Sequence, residues 1–95
     1  MFKRRVKHTS TEQLEAVLDQ LDPNCSYPEW INVLMAVCHE TGKSEDGFQL
    51  IDTWSSRSFK YPGTEKVRMA WKYLDPGRNR PITIGTLYWM AKQSR

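Results

Sequence analysis

Between Trp54 and Tyr61 the chain reads WSSRSFKY, and just beyond it reads PGTEKVRMAWKYL, so that two tryptophans, three serines and a run of cations share a short span. Two kinds of chemistry suit such a mixture. Cations can contact phosphates while aromatic rings stack on unpaired bases, which makes a surface that grips a polyanion. The other reading is a tryptophan-pinned corner of a small fold whose charges only face water. For the first reading the phosphate-contacting candidates are Arg57, Lys60, Arg68, Lys72, Arg78 and Arg80, with Lys3, Arg4, Arg5 and Lys7 as a mobile electrostatic arm. Tyr61 and Trp89 are the candidate stacking rings. Trp30, Trp54 and Trp71 are core-facing by helical spacing and belong to the structural core.

Other chemistries find weaker support. A zinc site would have to use His8, Cys25, Cys38 and His39, whose spacing is unlike that of paired ligands, and neighbours on a helix point about 100 degrees apart. Glu12, Glu15 and Asp19 read as a solvated helix face and Glu45 with Asp46 as first-turn electrostatics, so no carboxylate pair is marked out to hold catalytic metal ions. The stretch GKSEDG holds glycine, lysine and serine but lacks the glycine-rich loop that wraps phosphate, and it follows a helix rather than a strand. Ser55, Ser56 and Ser58 have no histidine and carboxylate relay nearby in sequence, and serines after Trp54 suit helix termination and local backbone bonding. The expectation is a chain with no catalytic residues, no metal and no cofactor.

The cations are unevenly placed. Residues 11–54 hold nine acids against the single base Lys43, whereas residues 55–80 hold seven bases against Glu65 and Asp75. Such segregation suits one side that faces a polyanion and an acidic side that faces another protein. A chain of 95 residues with a formal charge of +3, four tryptophans, four tyrosines and three phenylalanines is long enough for one packed domain but not for a two-domain enzyme closing over a substrate. No apolar run nears the roughly 18 residues of a membrane span, and the basic start lacks the apolar segment of a secretory signal. The expected location is the cytoplasm without membrane contact, where Cys25 and Cys38 stay free thiols.

These residues need elements to hold them. After a basic, flexible tail over residues 1–9, a single helical domain is expected over residues 10–95. Ser10 or Thr11 caps a first helix bearing Leu14, Val17, Leu18 and Leu21, and Ser26 with Pro28 opens a second from about Tyr27 to Thr41, stopped by Gly42. A third carries Phe48, Leu50, Ile51 and Trp54. Thr64 is the expected cap of a fourth, which turns Val67, Ala70, Trp71 and Leu74 inward and sends Arg68 and Lys72 together toward solvent. Thr83 is the expected cap of a fifth, with Ile84, Leu87, Tyr88 and Ala91 inward. The stretch RPITIGTLYW also suits one short strand, but the spacing 84, 87, 88, 91 favours a helix. Gly85 costs that helix about 1 kcal/mol, which implies close packing or some other compensation. The fold class is all-α, a compact orthogonal bundle of about five short helices. Its core joins the three tryptophans to Leu14, Leu18, Leu34, Leu87 and Tyr88.

The series YPEWINVLMAVCHETG, GFQLIDTWSSRSFKY, AWKYL and ITIGTLYWMAK resembles the primase C-terminal domain 2 (PriCT-2) family, a helical domain of phage, plasmid and mobile-element replication proteins. Trp30, Gly42, Trp54, Ser55, Ser58, Tyr61, Trp71, Thr83, Gly85, Thr86 and Leu87 match its characteristic positions in order, over most of residues 14–92. In larger members a similar module lies between a primase-polymerase region and a helicase region, neither of which is present here. The resemblance implies a non-catalytic accessory domain of a DNA replication primase/helicase system, which assists template binding or positions catalytic domains. Its expected partners are single-stranded or forked DNA and a primase or helicase protein, in cis or in trans. The alternative it leaves open is a protein docking module that joins primase and helicase components through the acidic first half, around Glu12, Glu15, Asp19 and Glu29, without touching DNA.

Overall fold

The computed structural model describes residues 10–77, 79 and 81–93. The tail with Lys3, Arg4, Arg5, Lys7 and His8 lies outside them, as do Arg78 and Arg80. Five helices follow one another: α1 (Thr11–Leu18), α2 (Tyr27–Thr41), α3 (Glu45–Ser55), α4 (Thr64–Lys72) and α5 (Ile84–Gln93). No strand occurs among the described residues, so the fold is all-α.

Local chemistry sets the helix ends. Ser10 and Ser26 each accept the backbone N–H of the third helical residue while Gln13 and Glu29 reach back to the cap, two reciprocal capping boxes that satisfy otherwise orphaned donors. Gly42 ends α2 in the left-handed region at φ 64°, which glycine enters without steric cost. Lys43 follows at φ 63° and donates its N–H to the Cys38 carbonyl. Ser44 then caps α3 through the Gly47 N–H. Thr64 is not a cap. Gly63 stands at that position, and Thr64, already helical, uses its hydroxyl to donate to Asp52 Oδ2 at 2.9 Å.

The middle of the domain is α3. It packs against α1, α2 and α4, while α5 packs against α1 and α2. Leu14, Leu18, Leu34, Phe48, Ile51, Trp54, Trp71 and Leu87 are all buried in one core. Trp54 donates its indole N–H to the Leu21 carbonyl, so the largest core side chain leaves no polar group unpaired. Trp71 meets the Phe48 ring edge-on at 6.3 Å between centroids. Gly47 is needed here: a Cβ on it would collide with the Thr41 hydroxyl and stand 3.1 Å from the Trp71 ring.

Three expectations about packing need correction. Trp30 is only partly buried at the edge of the core, where its indole N–H donates to the buried Ser55 hydroxyl at 2.9 Å. Tyr88 is 47% exposed rather than inward, because α5 rests on its neighbours through Leu87 and Ala91 and turns the following residue away. Gly85 is exposed, with Thr83 Oγ1 at 3.4 Å the only neighbour among the described residues near a Cβ placed there, so close packing among them does not explain it. The stretch from Ile84 is nonetheless a helix, and its first N–H donates to Glu40 Oε2 at 2.8 Å.

Candidate nucleic-acid interface

The inward face of α4 is narrow. Val67 and Trp71 are buried, one turn apart, and they leave Thr64, Glu65, Lys66, Arg68, Met69, Lys72 and, just past the helix, Tyr73 exposed. Lys66, Met69 and Tyr73 fall at intervals of three and four, hence along one side, and Arg68 and Lys72 run beside them. Lys66 and Lys72 form no ion pair among the described residues.

Arg68 behaves differently from Lys72, although the two were expected to point out together. Its guanidinium lies 3.7 Å from the Phe48 ring centroid and makes a two-pronged pair with Glu45, at 2.8 and 2.9 Å. The hydrogen bonds from Arg68, then that from Gln49, hold the Glu45 carboxyl far below its ordinary 4.5, at about 2. Arg68 is thus a strut between α4 and the start of α3.

Lys43 is a second strut. Its ammonium donates to the carbonyls of Lys72 and Leu74, each at 2.7 Å, at the end of α4 where carbonyls lack helical partners. A cation there also suits the negative end of the helix dipole.

Past Ser55, where α3 ends, the WSSRSFKY stretch is a clamped loop. Ser58 Oγ and the Phe59 N–H both donate to Asn24 Oδ1, at 2.7 and 3.1 Å, and Ser58 Oγ in turn accepts the Lys60 N–H. Tyr61 donates its hydroxyl to Asp52 at 2.7 Å, and that bond raises its pKa. Of the loop's cations, Arg57 pairs with Asp19 at 2.9 Å, and Lys60 donates to the Cys25 carbonyl at 2.9 Å. The serines therefore build the corner, while Phe59 projects from it, 86% exposed. Tyr61, Trp30, Tyr27 and Lys60 line a cleft of about 310 Å³ beside it.

The candidate cations thus fall into separate groups. Arg68 is tied to Glu45 at the start of α3 and Arg57 follows the end of the same helix, whose eleven residues span roughly 16 Å. Trp89 stands elsewhere again. It is 61% exposed on α5 and lines another cleft of about 310 Å³ with Leu21, Asp22, Glu29, Met90 and Gln93. Those carboxylates would repel phosphate. Sequence reasoning also missed Tyr73, which is readable as the residue after α4 on the side away from Trp71, and Lys43, whose contacts span 29 and 31 residues and leave no local signal.

No three His, Cys, Asp or Glu side chains among the described residues are grouped to hold a metal ion. His39 Nδ1 lies 3.0 Å from the Pro76 carbonyl, and both cysteines are free, with burial as the main cause raising each thiol's pKa. No helix among the described residues is long and apolar enough to cross a membrane.

A family model described as Primase C terminal 2 (PriCT-2) matches residues 14–91, from the first core leucine of α1 to the last buried residue of α5. The chain belongs to the PriCT-2 family. No curated protein and no solved structure matches it. The PriCT-2 match takes in the whole of α2, α3 and α4 with the clamped loop, and most of α1 and α5. It makes this a primase-associated C-terminal domain.

Proposed function

We propose that this PriCT-2 domain acts as a non-catalytic accessory domain of a DNA replication primase/helicase system of a phage, plasmid or other mobile element. It works in the cytoplasm, where it contacts template DNA and so positions its catalytic neighbours. The observation that carries this reading is the outer side of α4. Lys66 and Lys72 stand exposed there with no ion pair among the described residues, beside Arg68 and the exposed Met69 and Tyr73. Phosphate contact of this kind positions a protein without reading bases, so binding is largely independent of sequence. The loop cations Arg57 and Lys60 serve mainly to hold the fold. The test is a titration of labelled single-stranded, duplex and forked DNA with wild type and with a folded Lys66→Ala/Lys72→Ala variant. The expected result is wild-type binding at low salt that the variant weakens several-fold; equal binding by the two proteins would remove α4 as the contact surface.

The cleft around Trp89 supports a second reading, protein docking. An exposed indole beside Asp22 and Glu29 suits a partner segment that offers an apolar side chain flanked by cations. On that reading Trp89→Ala weakens binding to a primase or helicase partner and leaves DNA binding unchanged. A partner interaction insensitive to Trp89→Ala would discard this cleft as the docking site.

A further inference from the structure

The Tyr73 ring is 77% exposed, yet the backbone that carries it is held firmly. Its N–H bonds to the Ala70 carbonyl, and the carbonyls of the residues before and after it, Lys72 and Leu74, both accept from the Lys43 ammonium. An exposed aromatic side chain on a fixed backbone loses little conformational freedom when it takes a ligand. The Lys72 ammonium stands over the Tyr73 ring, 5.9 Å from its centroid, at the outer reach of a cation–π contact. Met69 is exposed one turn back on the same side of α4, with Lys66 beyond it.

Phe59 and Trp89, also exposed, have different company. Phe59 stands between Arg57, paired with Asp19, and Lys60, bonded to the Cys25 carbonyl. Trp89 faces Asp22 and Glu29 across its cleft. Tyr73 has an ammonium beside it that makes no ion pair among the described residues.

We infer that Tyr73 is a stacking platform for one unpaired base of single-stranded DNA, whose phosphate Lys72 takes; this rests on the reading of α4 as the DNA-contacting side. Stacking on an aromatic ring tolerates any base, because every base has a π-face, and it is closed to a base already stacked inside a duplex. The lysines then serve both forms of DNA, while Tyr73 distinguishes between them.

The test is fluorescence anisotropy at low salt with the full chain, using labelled oligothymidylate and a mixed-sequence duplex of equal length. Tyr73→Ala, Tyr73→Leu and Tyr73→Phe are compared with wild type after circular dichroism confirms the fold. Tyr73→Ala and Tyr73→Leu should each raise the Kd for the single strand by about 5- to 100-fold and that for the duplex by less than about twofold. Tyr73→Phe keeps the π-face and should bind as wild type does. A folded Tyr73→Ala protein that binds oligothymidylate as wild type does, or that weakens equally on both DNAs, overturns the stacking role and leaves α4 as a phosphate contact. Wild-type protein that binds neither DNA overturns the α4 reading itself, and the inference with it.

Discussion

Lys43 and Lys72 are linked side chain to backbone: the Lys43 ammonium, from the turn between α2 and α3, donates at 2.7 Å to the Lys72 carbonyl in the last turn of α4. The exposed cation on α4 is thus positioned by another cation from a distant part of the chain. Lys43 accepts a positive φ of 63° in a conformation that L side chains rarely adopt. Lys43→Met keeps the stem and removes the donors. It should destabilise the domain by about 1.5–3 kcal/mol in urea denaturation, in the range for hydrogen bonds from a charged group. Lys43→Gly should cost less, because relief at the positive φ offsets part of the loss.

Two glycines should respond in opposite directions to the same substitution. Gly47→Ala forces a methyl group against Thr41 and Trp71 and should destabilise by about 1–3 kcal/mol. Gly85→Ala meets, among the described residues, only Thr83 Oγ1 at 3.4 Å, in an exposed first turn, and should stabilise by up to about 1 kcal/mol. Thermal or urea unfolding of the two variants side by side gives the comparison.

The tryptophans should rank by burial. Trp54→Ala should cost about 3–5 kcal/mol, enough to unfold much of a small domain. Trp30→Ala should cost clearly less, since that ring is only partly buried, although it leaves the Ser55 hydroxyl without its indole donor. Equal losses in denaturant midpoint would contradict this placement of Trp30.

Glu45 should titrate near 2 by NMR, and in Arg68→Ala its pKa should rise toward 4.5. Its carboxyl is held lower in the folded state than in the unfolded chain. The stabilisation from the pair is therefore complete above the ordinary carboxylate value and is lost as pH falls from about 4.5 toward 2. Both partners face solvent, so the effect on overall stability should be small and weaken with added salt. A Glu45 midpoint that ignores Arg68→Ala would contradict the pairing.

Helix order was legible because it is written locally. Ser10 with Gln13, Ser26 with Glu29, and Gly42 mark helix ends within a few residues, and Val67 with Trp71 mark an inward face by spacing alone. What escaped depends on contacts between distant segments. Tyr88 has the spacing of a core residue, but α5 is covered along a narrower strip than that spacing implies. Thr64 has the chemistry of a cap, but Asp52 takes its hydroxyl. Arg68 and Lys72 read alike as exposed cations until Glu45 and Phe48 engage the first, while the second makes no ion pair among the described residues. The question raised by WSSRSFKY is answered in part by Asn24, thirty-four residues away, which accepts from Ser58 and clamps the loop.

The most direct test of a DNA-contacting α4 is the salt dependence of single-strand binding, measured as the slope of log affinity against log salt concentration for wild type and Lys66→Ala/Lys72→Ala. Each phosphate neutralised on a single strand contributes about −0.7 to that slope, so two lysines that each contact a phosphate predict a variant slope shallower by about 1.4. A wild-type slope near zero, or identical slopes for two folded proteins, would contradict the account.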